Sequence, residues 1–144
     1  MIVQDLLRER KEVFSIREDL PVHDAARYLR EHQVRAVGVL DASGKLAGAL
    51  AQSDISDKVA AENRCPAWMR VSEIMTRELV TVTPEQPLDE CLRKMEVHEI
   101  FHLLVLDAAG DFRGMISIAD LLRVIASDHK ARADMFEAMM FPQR

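Results

Sequence analysis

His98 and His102 stand four residues apart with Glu99 beside the first, the His-Glu-x-x-His order of zinc hydrolases. On a helix this spacing brings two imidazoles to one metal and lets the glutamate activate a zinc-bound water. The chemistry therefore depends on whether residues 98 to 102 are helical. A second candidate is Gly114-Met115-Ile116-Ser117-Ile118-Ala119-Asp120, where an apolar strand pattern gives way to a helical one. A helix N-terminus offers unpaired N–H groups to phosphate, and the Ser117 hydroxyl adds a donor. Asp120 supplies two acceptor oxygens suited to the paired hydroxyls of a ribose. The same two residues also suit a plain helix cap, and the residues alone leave both roles open. The chain shows no Ser-His-Asp order, no Gly-rich phosphate loop and no Cys pair for metal.

The elements that must hold these groups come from a repeat. Sliding the chain by 66 residues lays 13–56 over 79–122 without a gap. Pro21 falls on Pro87, His32 on His98, Gly44 on Gly110, Gly48 on Gly114 and Asp54 on Asp120. Each copy reads as a short β-rich run (Val13 to Ile16; Leu79 to Val82), a turn ending in proline, and an amphipathic helix. Its buried face is expected at Val22, Ala26 and Leu29, and at Leu88, Leu92 and Met95. A hairpin with an Asp-x-x-Gly turn follows, then a helix starting near Asp54 or Asp120. Short helical segments, 3–7 and 71–75, precede the opening strands, and the first spacing is two residues longer. The expected fold is α/β (α+β): two tandem βαββα units packed sheet to sheet with pseudo-twofold symmetry, because one unit buries too little alone. The expected divisions are residues 1–66, residues 67–127 and a helical tail, 128–144.

Composition narrows the function classes. The 144 residues are 49% hydrophobic and 30% charged, with a net charge of −5, which argues against a general nucleic-acid binder. No apolar run approaches the ~18 residues of a membrane span, and the N-terminal stretch lacks a signal layout, so a cytoplasmic location is expected. Cys65 and Cys91 read as idle or buried thiols.

The stretches VSEIMTRELVTVTPEQPLDECLRKM and HLLVLDAAGDFRGMISIADLL resemble a cystathionine-β-synthase (CBS) domain, and the first copy resembles a more divergent one. The resemblance covers residues 2 to about 127. It rests on the Val-x-x-Ile-Met-Thr entry, the Val-x-Asp hairpin and the Gly-apolar-apolar-Ser-x-x-Asp run taken together. It implies a regulatory module and not an enzyme. Such a module is a homodimer that requires no cofactor, binds AMP, ADP, ATP or S-adenosylmethionine, and passes its state to a partner protein. Carried over by position, the resemblance implies one cleft of Ser117, Ile118 and Asp120 facing Val13, Phe14, Arg35 and Ala36. In it, Val13 and Phe14 flank the adenine and Arg35 meets a phosphate. The other cleft sets Asp54 against Leu79, Val80, Phe101 and His102, with His102 touching phosphate as a partial cation. Ala51 replaces the hydroxyl residue there, so the Asp54 cleft is the expected poorer site. Arg8, Arg10 and Lys11 add positive potential or form a solvated face.

The tail carries Met135, Phe136, Met139 and Met140 at helical steps, an adaptable apolar face that suits packing or a partner. An alternative function is a dimeric scaffold with vestigial clefts acting through that face. For the zinc signature the repeat gives a clear expectation. HEIFH overlies HQVRA, at the end of one helix and the start of the next strand, so His98 and His102 do not share a helix.

Overall fold

Short helices and six strands of two to six residues cannot each be stable alone, and the chain resolves this by crossing between its copies. The computed structural model describes residues 1–10 and 12–140, except for the side chains at 131–132, 134–136 and 138–140. Helix α1 (Val3–Arg8) leads to β1 (Ser15–Arg17), α2 (Val22–His32), β2 (Ala36–Leu40), β3 (Leu46–Ala51) and α3 (Gln52–Ile55). Helix α3 runs on through a wider π turn, Ser56–Ala60, and 3₁₀ turns follow at Pro66–Trp68 and Val71–Glu73. The second copy repeats the order with β4 (Thr81–Val82), α4 (Leu88–His98), β5 (His102–Leu106), β6 (Phe112–Ser117) and α5 (Ile118–Met140). The opening strands are shorter than the β-rich runs suggested, because Val13, Phe14, Leu79 and Val80 lie ahead of the paired segments.

Each copy builds a three-stranded sheet with its middle strand contributed by the hairpin. Strand β1 runs parallel to β2, and β3 antiparallel to it; β4, β5 and β6 repeat this arrangement. A bulge recurs at Val39/Leu40 and at Val105/Leu106. The recurring Asp-x-x-Gly turns have one cause. The Asp41 carboxylate accepts the Ser43 and Lys45 amides at 2.9 and 3.0 Å, and Asp107 accepts those of Ala109 and Asp111 at 3.0 and 2.9 Å. Gly44 and Gly110 take the left-handed conformation that closes each turn, with φ of +83° and +84°.

Helices α2 and α4 start after Pro21 and Pro87 and stop identically. Gln33 and Glu99 adopt left-handed φ values of 55° and 53°. The next amides, of Val34 and Ile100, reach back to the Leu29 and Met95 carbonyls, both at 3.1 Å. This closes a Schellman turn and drops Val34 and Ile100 onto the core. Val22, Leu29 and Met95 are buried as expected, and Leu88 and Leu92 pack partly buried on the second core, but the deepest positions between them differ. Ala25 and Cys91 are fully buried where Ala26 and Leu92 were expected to face inward. The spacing of four to Leu29 and Met95 wins over the spacing of three. Burial raises the Cys91 thiol to about 11, with weaker opposition from the nearby Lys94 charge, so it is inert at neutral pH.

The packing units do not coincide with the sequence copies. Val3 and Leu6 of α1 are buried in the core formed by Val82, Cys91, Met95, Leu103, Val105, Ile116 and Leu121, that of the second copy. Conversely, Val71, Ile74 and Met75 are buried with Ile16, Val22, Leu29, Val37 and Leu50 of the first. The backbone confirms the exchange. Val3 and Gln4 donate to the Gln86 and Pro84 carbonyls at 2.9 and 2.8 Å, and Ala49 exchanges both hydrogen bonds with Thr76, at 3.0 and 2.9 Å. The glycine shared by both copies is where the exchanged segment lands. A Cβ on Gly48 would sit 2.8 Å from the Met75 sulfur and 2.9 Å from the Thr76 carbonyl; at Gly114 the neighbour is Leu7.

The two sheets meet through Gly38 of β2 and Phe112 of β6, where a Cβ on Gly38 would lie 2.5 Å from the ring. Gly38→Val is therefore expected to cost about 1–3 kcal/mol in urea unfolding, the usual range for overpacking. Phe112→Leu in the same background should recover part of the loss. An unchanged midpoint for Gly38→Val would show that the ring does not occupy this position.

Candidate functional site

The His-Glu-x-x-His order is broken by the helix end described above. His98 is the last residue of α4, Glu99 is its left-handed cap, and His102 opens β5. The two imidazoles belong to different elements, and the glutamate lies in the turn. No group of three metal-ligating His, Cys, Asp or Glu side chains occurs among the described residues.

The second candidate forms a built cluster. Strand β6 ends at Ser117 and α5 begins at Ile118, whose amide donates to the Phe101 carbonyl at 2.9 Å. Ser117 and Asp120 then cap the helix reciprocally. Asp120 Oδ2 accepts the Ser117 amide at 2.8 Å and its hydroxyl at 3.0 Å, while Ser117 Oγ accepts the Asp120 amide at 3.2 Å. The capping role is thus realised, and the serine hydroxyl hydrogen is directed at Asp120. Two guanidiniums converge on the same carboxylate. Arg10 Nη2 reaches Oδ2 at 2.6 Å, its Nη1 donates to the Met115 carbonyl, and Arg123 Nη2 reaches Oδ1 at 2.6 Å. Burial pushes the Asp120 carboxyl up, but the Ser117 amide, the Arg10 charge and the Ser117 hydroxyl outweigh it and hold the group below the usual carboxylate range.

The equivalent position of the first copy is wired differently. Asp54 is 9% exposed, and its Oδ2 accepts the Ala51 amide at 2.9 Å. Its Oδ1 holds Lys58 Nζ at 2.9 Å, with Thr76 Oγ1 at 3.4 Å. Lys58 lies one turn along the same helical run and also donates to the Ile74 carbonyl at 2.8 Å. With Ala51 in place of serine, half of the reciprocal cap is missing. The cation opposite Asp54 is fixed by covalent neighbourhood and by the exchanged segment at once.

The remaining positions named from the sequence distribute as follows. Val13 is exposed, while the Phe14 ring turns toward its own copy and packs at a tilt against His32 with centroids 5.0 Å apart. Arg35 is exposed and accepts the Gln52 amide on its carbonyl at 2.9 Å; Ala36 is half-buried and pairs with Ala51. Leu79 and Val80 are half-buried, Val80 against the second core, and Phe101 is exposed. Ile118 packs on the second core. His102 pairs in register with Ser117 and senses the charges of both Asp120 and Arg35, which ties it to the Asp120 side of the interface. Burial lowers its pKa; Asp120 opposes this, and Arg35 adds to it. Burial therefore works against the expected partial cation and favours the neutral ring, which can still donate an N–H.

Sequence reasoning had not assigned Arg123 and Lys58, although both stand one helical turn from their aspartates, a spacing legible in the sequence. It counted Arg10 only as general positive potential, since nothing local points it at a residue 110 positions away. Lys11, grouped with it in the sequence, lies outside the described residues, as do the side chains of Met135, Phe136, Met139 and Met140.

A family model described as the CBS domain matches residues 3–61 and 71–127. The CBS domain-containing protein CBSX3, mitochondrial, of Arabidopsis thaliana is 32% identical over 116 residues, 78% of this chain and 56% of that protein. Homoserine O-acetyltransferase of Methanohalobium evestigatum is 29% identical over 123 residues, 85% of this chain but 24% of that one. The chain thus spans about a quarter to about half of these curated relatives. Among solved structures, a protein with CBS domains from Burkholderia ambifaria is similar at a TM-score of 0.82 and 32% identity, over 89% of this chain and 96% of that chain. The CBS domain pair of protein MJ0100, solved with 5′-methylthioadenosine and S-adenosyl-L-methionine, gives a TM-score of 0.79 and 26% identity, over 89% and 98%.

The His102 ring generates a pH dependence. Its folded pKa lies below the value near 6.5 of an unfolded chain. As pH falls below about 6.5 the unfolded state gains a proton that the folded state resists, so stability declines until the folded pKa is passed. His102→Gln should therefore show a smaller loss of Tm between pH 7.0 and pH 5.5 than the parent. Equal losses in the two proteins would remove His102 as the source.

Proposed function

The chain belongs to the CBS domain family, and on that premise we propose that it is a regulatory ligand-sensing module which binds an adenosine-type nucleotide in the Asp120 cleft. The ligand class is AMP, ADP, ATP or S-adenosylmethionine, and the bound state is passed to a partner protein. The observation that carries this reading is the Asp120 carboxylate. It sits at the N-terminus of the longest helix, half-buried, held ionised, and flanked by Ser117 and by two guanidiniums. A ribose diol needs acceptor oxygens, which the Asp120 carboxylate carries, and a phosphate needs cations, which Arg10 and Arg123 supply beside it. Protein MJ0100, whose CBS domain pair was solved with two adenosine derivatives, supports the ligand class.

The clefts are not equivalent in this reading. Lys58 neutralises Asp54 from within its own helix, and no hydroxyl stands at residue 51, so that cleft is vestigial. The module acts as a homodimer without a catalytic group of its own and works in the cytoplasm. No helix of the described residues is long and apolar enough to cross a membrane.

Thermal unfolding with each of the four ligands tests this. A ligand present at 100 times its Kd adds about 2.7 kcal/mol of stability. Asp120→Ala should abolish that shift, while Asp54→Ala should leave most of it in place. Absence of any shift at millimolar ligand counts against nucleotide sensing, and a greater loss in Asp54→Ala would reverse the ranking of the clefts.

A further inference from the structure

Asp120 is engaged on both oxygens. Oδ2 receives the Ser117 amide, the Ser117 hydroxyl and Arg10, and Oδ1 receives Arg123. A carboxylate oxygen accepts about two hydrogen bonds, so Oδ2 has no room for a ribose hydroxyl while Arg10 is in place. The Ser117 donors are part of the helix cap, and Arg123 is anchored to the same helix one turn on. Arg10 alone comes from elsewhere. It lies on the segment between α1 and β1 that carries the chain from the second core to the first.

Resting on the nucleotide reading above, we infer that Arg10 is a latch on the Asp120 cleft, which the ligand opens by giving the guanidinium a phosphate in exchange for the carboxylate. The inference selects among the adenosine compounds. Around Asp120 two full positive charges face one negative charge, and Arg35 lies close enough to influence the same His102 ring. When a ribose hydroxyl takes Oδ2, the Arg10 hydrogen bond at 2.6 Å and the counter-charge of that guanidinium are lost, and the bond that replaces them has a neutral donor. Adenosine brings nothing to replace them, and the sulfonium of S-adenosylmethionine adds a third positive charge. A phosphoryl group restores the pairing that Arg10 loses, since guanidinium forks match phosphate as well as carboxylate. The ligand of this cleft is therefore a phosphorylated adenine nucleotide.

The contrast with Asp54 supports the assignment. Its cation, Lys58, shares a helix with its partner and so stays within one turn of Asp54 whatever else moves. Arg10 has no such covalent tether to Asp120, and its segment joins two cores. Moving it changes the connection between them, which gives ligand binding a route to the rest of the molecule.

Calorimetric titration of the full chain with adenosine, AMP, ATP and S-adenosylmethionine tests the latch, using the parent, Arg10→Ala and Arg10→Lys. Arg10 is solvent-facing and outside both cores, so the variants should fold. The parent should prefer AMP to adenosine. Arg10→Ala should tighten adenosine about tenfold, the worth of one charge-assisted hydrogen bond, and narrow the AMP-to-adenosine ratio by at least that factor. Arg10→Lys should fall between the two. Nucleotide binding by Arg10→Ala where the parent shows none would support the latch in its tightest form. Unchanged adenosine and AMP affinities in Arg10→Ala, with the parent binding AMP through Asp120, would overturn the latch and leave the nucleotide reading intact. No binding of any of the four compounds by any of the three proteins would overturn both.

Discussion

The exchange of leading segments is the interaction on which the rest of this molecule depends. Each copy supplies only a three-stranded sheet and two flanking helices, and each sheet leaves apolar surface that its own strands cannot cover. Helix α1 is far too short to persist by itself. It exists because Val3 and Leu6 fill the second core and because the first amides of the segment pair with the Gln86 and Pro84 carbonyls. Val71, Ile74 and Met75 fill the first core in the same manner. Neither core is complete without chain from the other copy, so the two units fold as one body joined by two crossings. The Gly38–Phe112 contact between sheets completes the joint.

The crossings also explain why two copies of one unit surround their aspartates differently. The segment after 71–75 is short, and it delivers Thr76 to Asp54 and Arg77 to the Ser72 carbonyl. The segment after α1 is two residues longer, and the extra length carries Arg10 to Asp120 and the Met115 carbonyl. A two-residue insertion thus replaces a weak hydroxyl contact with a guanidinium. Together with serine in place of alanine at the end of the last strand, it converts a closed salt bridge into a cationic site around an ionised acceptor.

Much of this was legible in the sequence because it is local. The repeat, the Asp-x-x-Gly turns, the ends of the helices before His102 and Arg35, and the pairing of Ser117 with Asp120 all follow from short-range chemistry. The helix faces are legible through Val22, Leu29 and Met95, but the sequence does not choose between Ala25 and Ala26, or between Cys91 and Leu92, for the deepest burial, because only packing decides that. What stayed hidden is long-range. No pattern in residues 3 to 8 reveals that they complete the far copy, and therefore none reveals that Arg10 meets Asp120. The charge state of His102 is hidden for the same reason: burial between two copies sets it, not its neighbours in the chain.

The central claim is that one cleft, at Asp120, takes a phosphorylated nucleotide while its counterpart at Asp54 stays closed. A crystal structure of the full chain grown with AMP tests this most directly. The account predicts one nucleotide per chain, with its ribose hydroxyls on Asp120, Arg10 turned from the carboxylate to the phosphate, and Lys58 still paired with Asp54. A nucleotide seated on Asp54, or one bound at Asp120 with Arg10 unmoved, would contradict it.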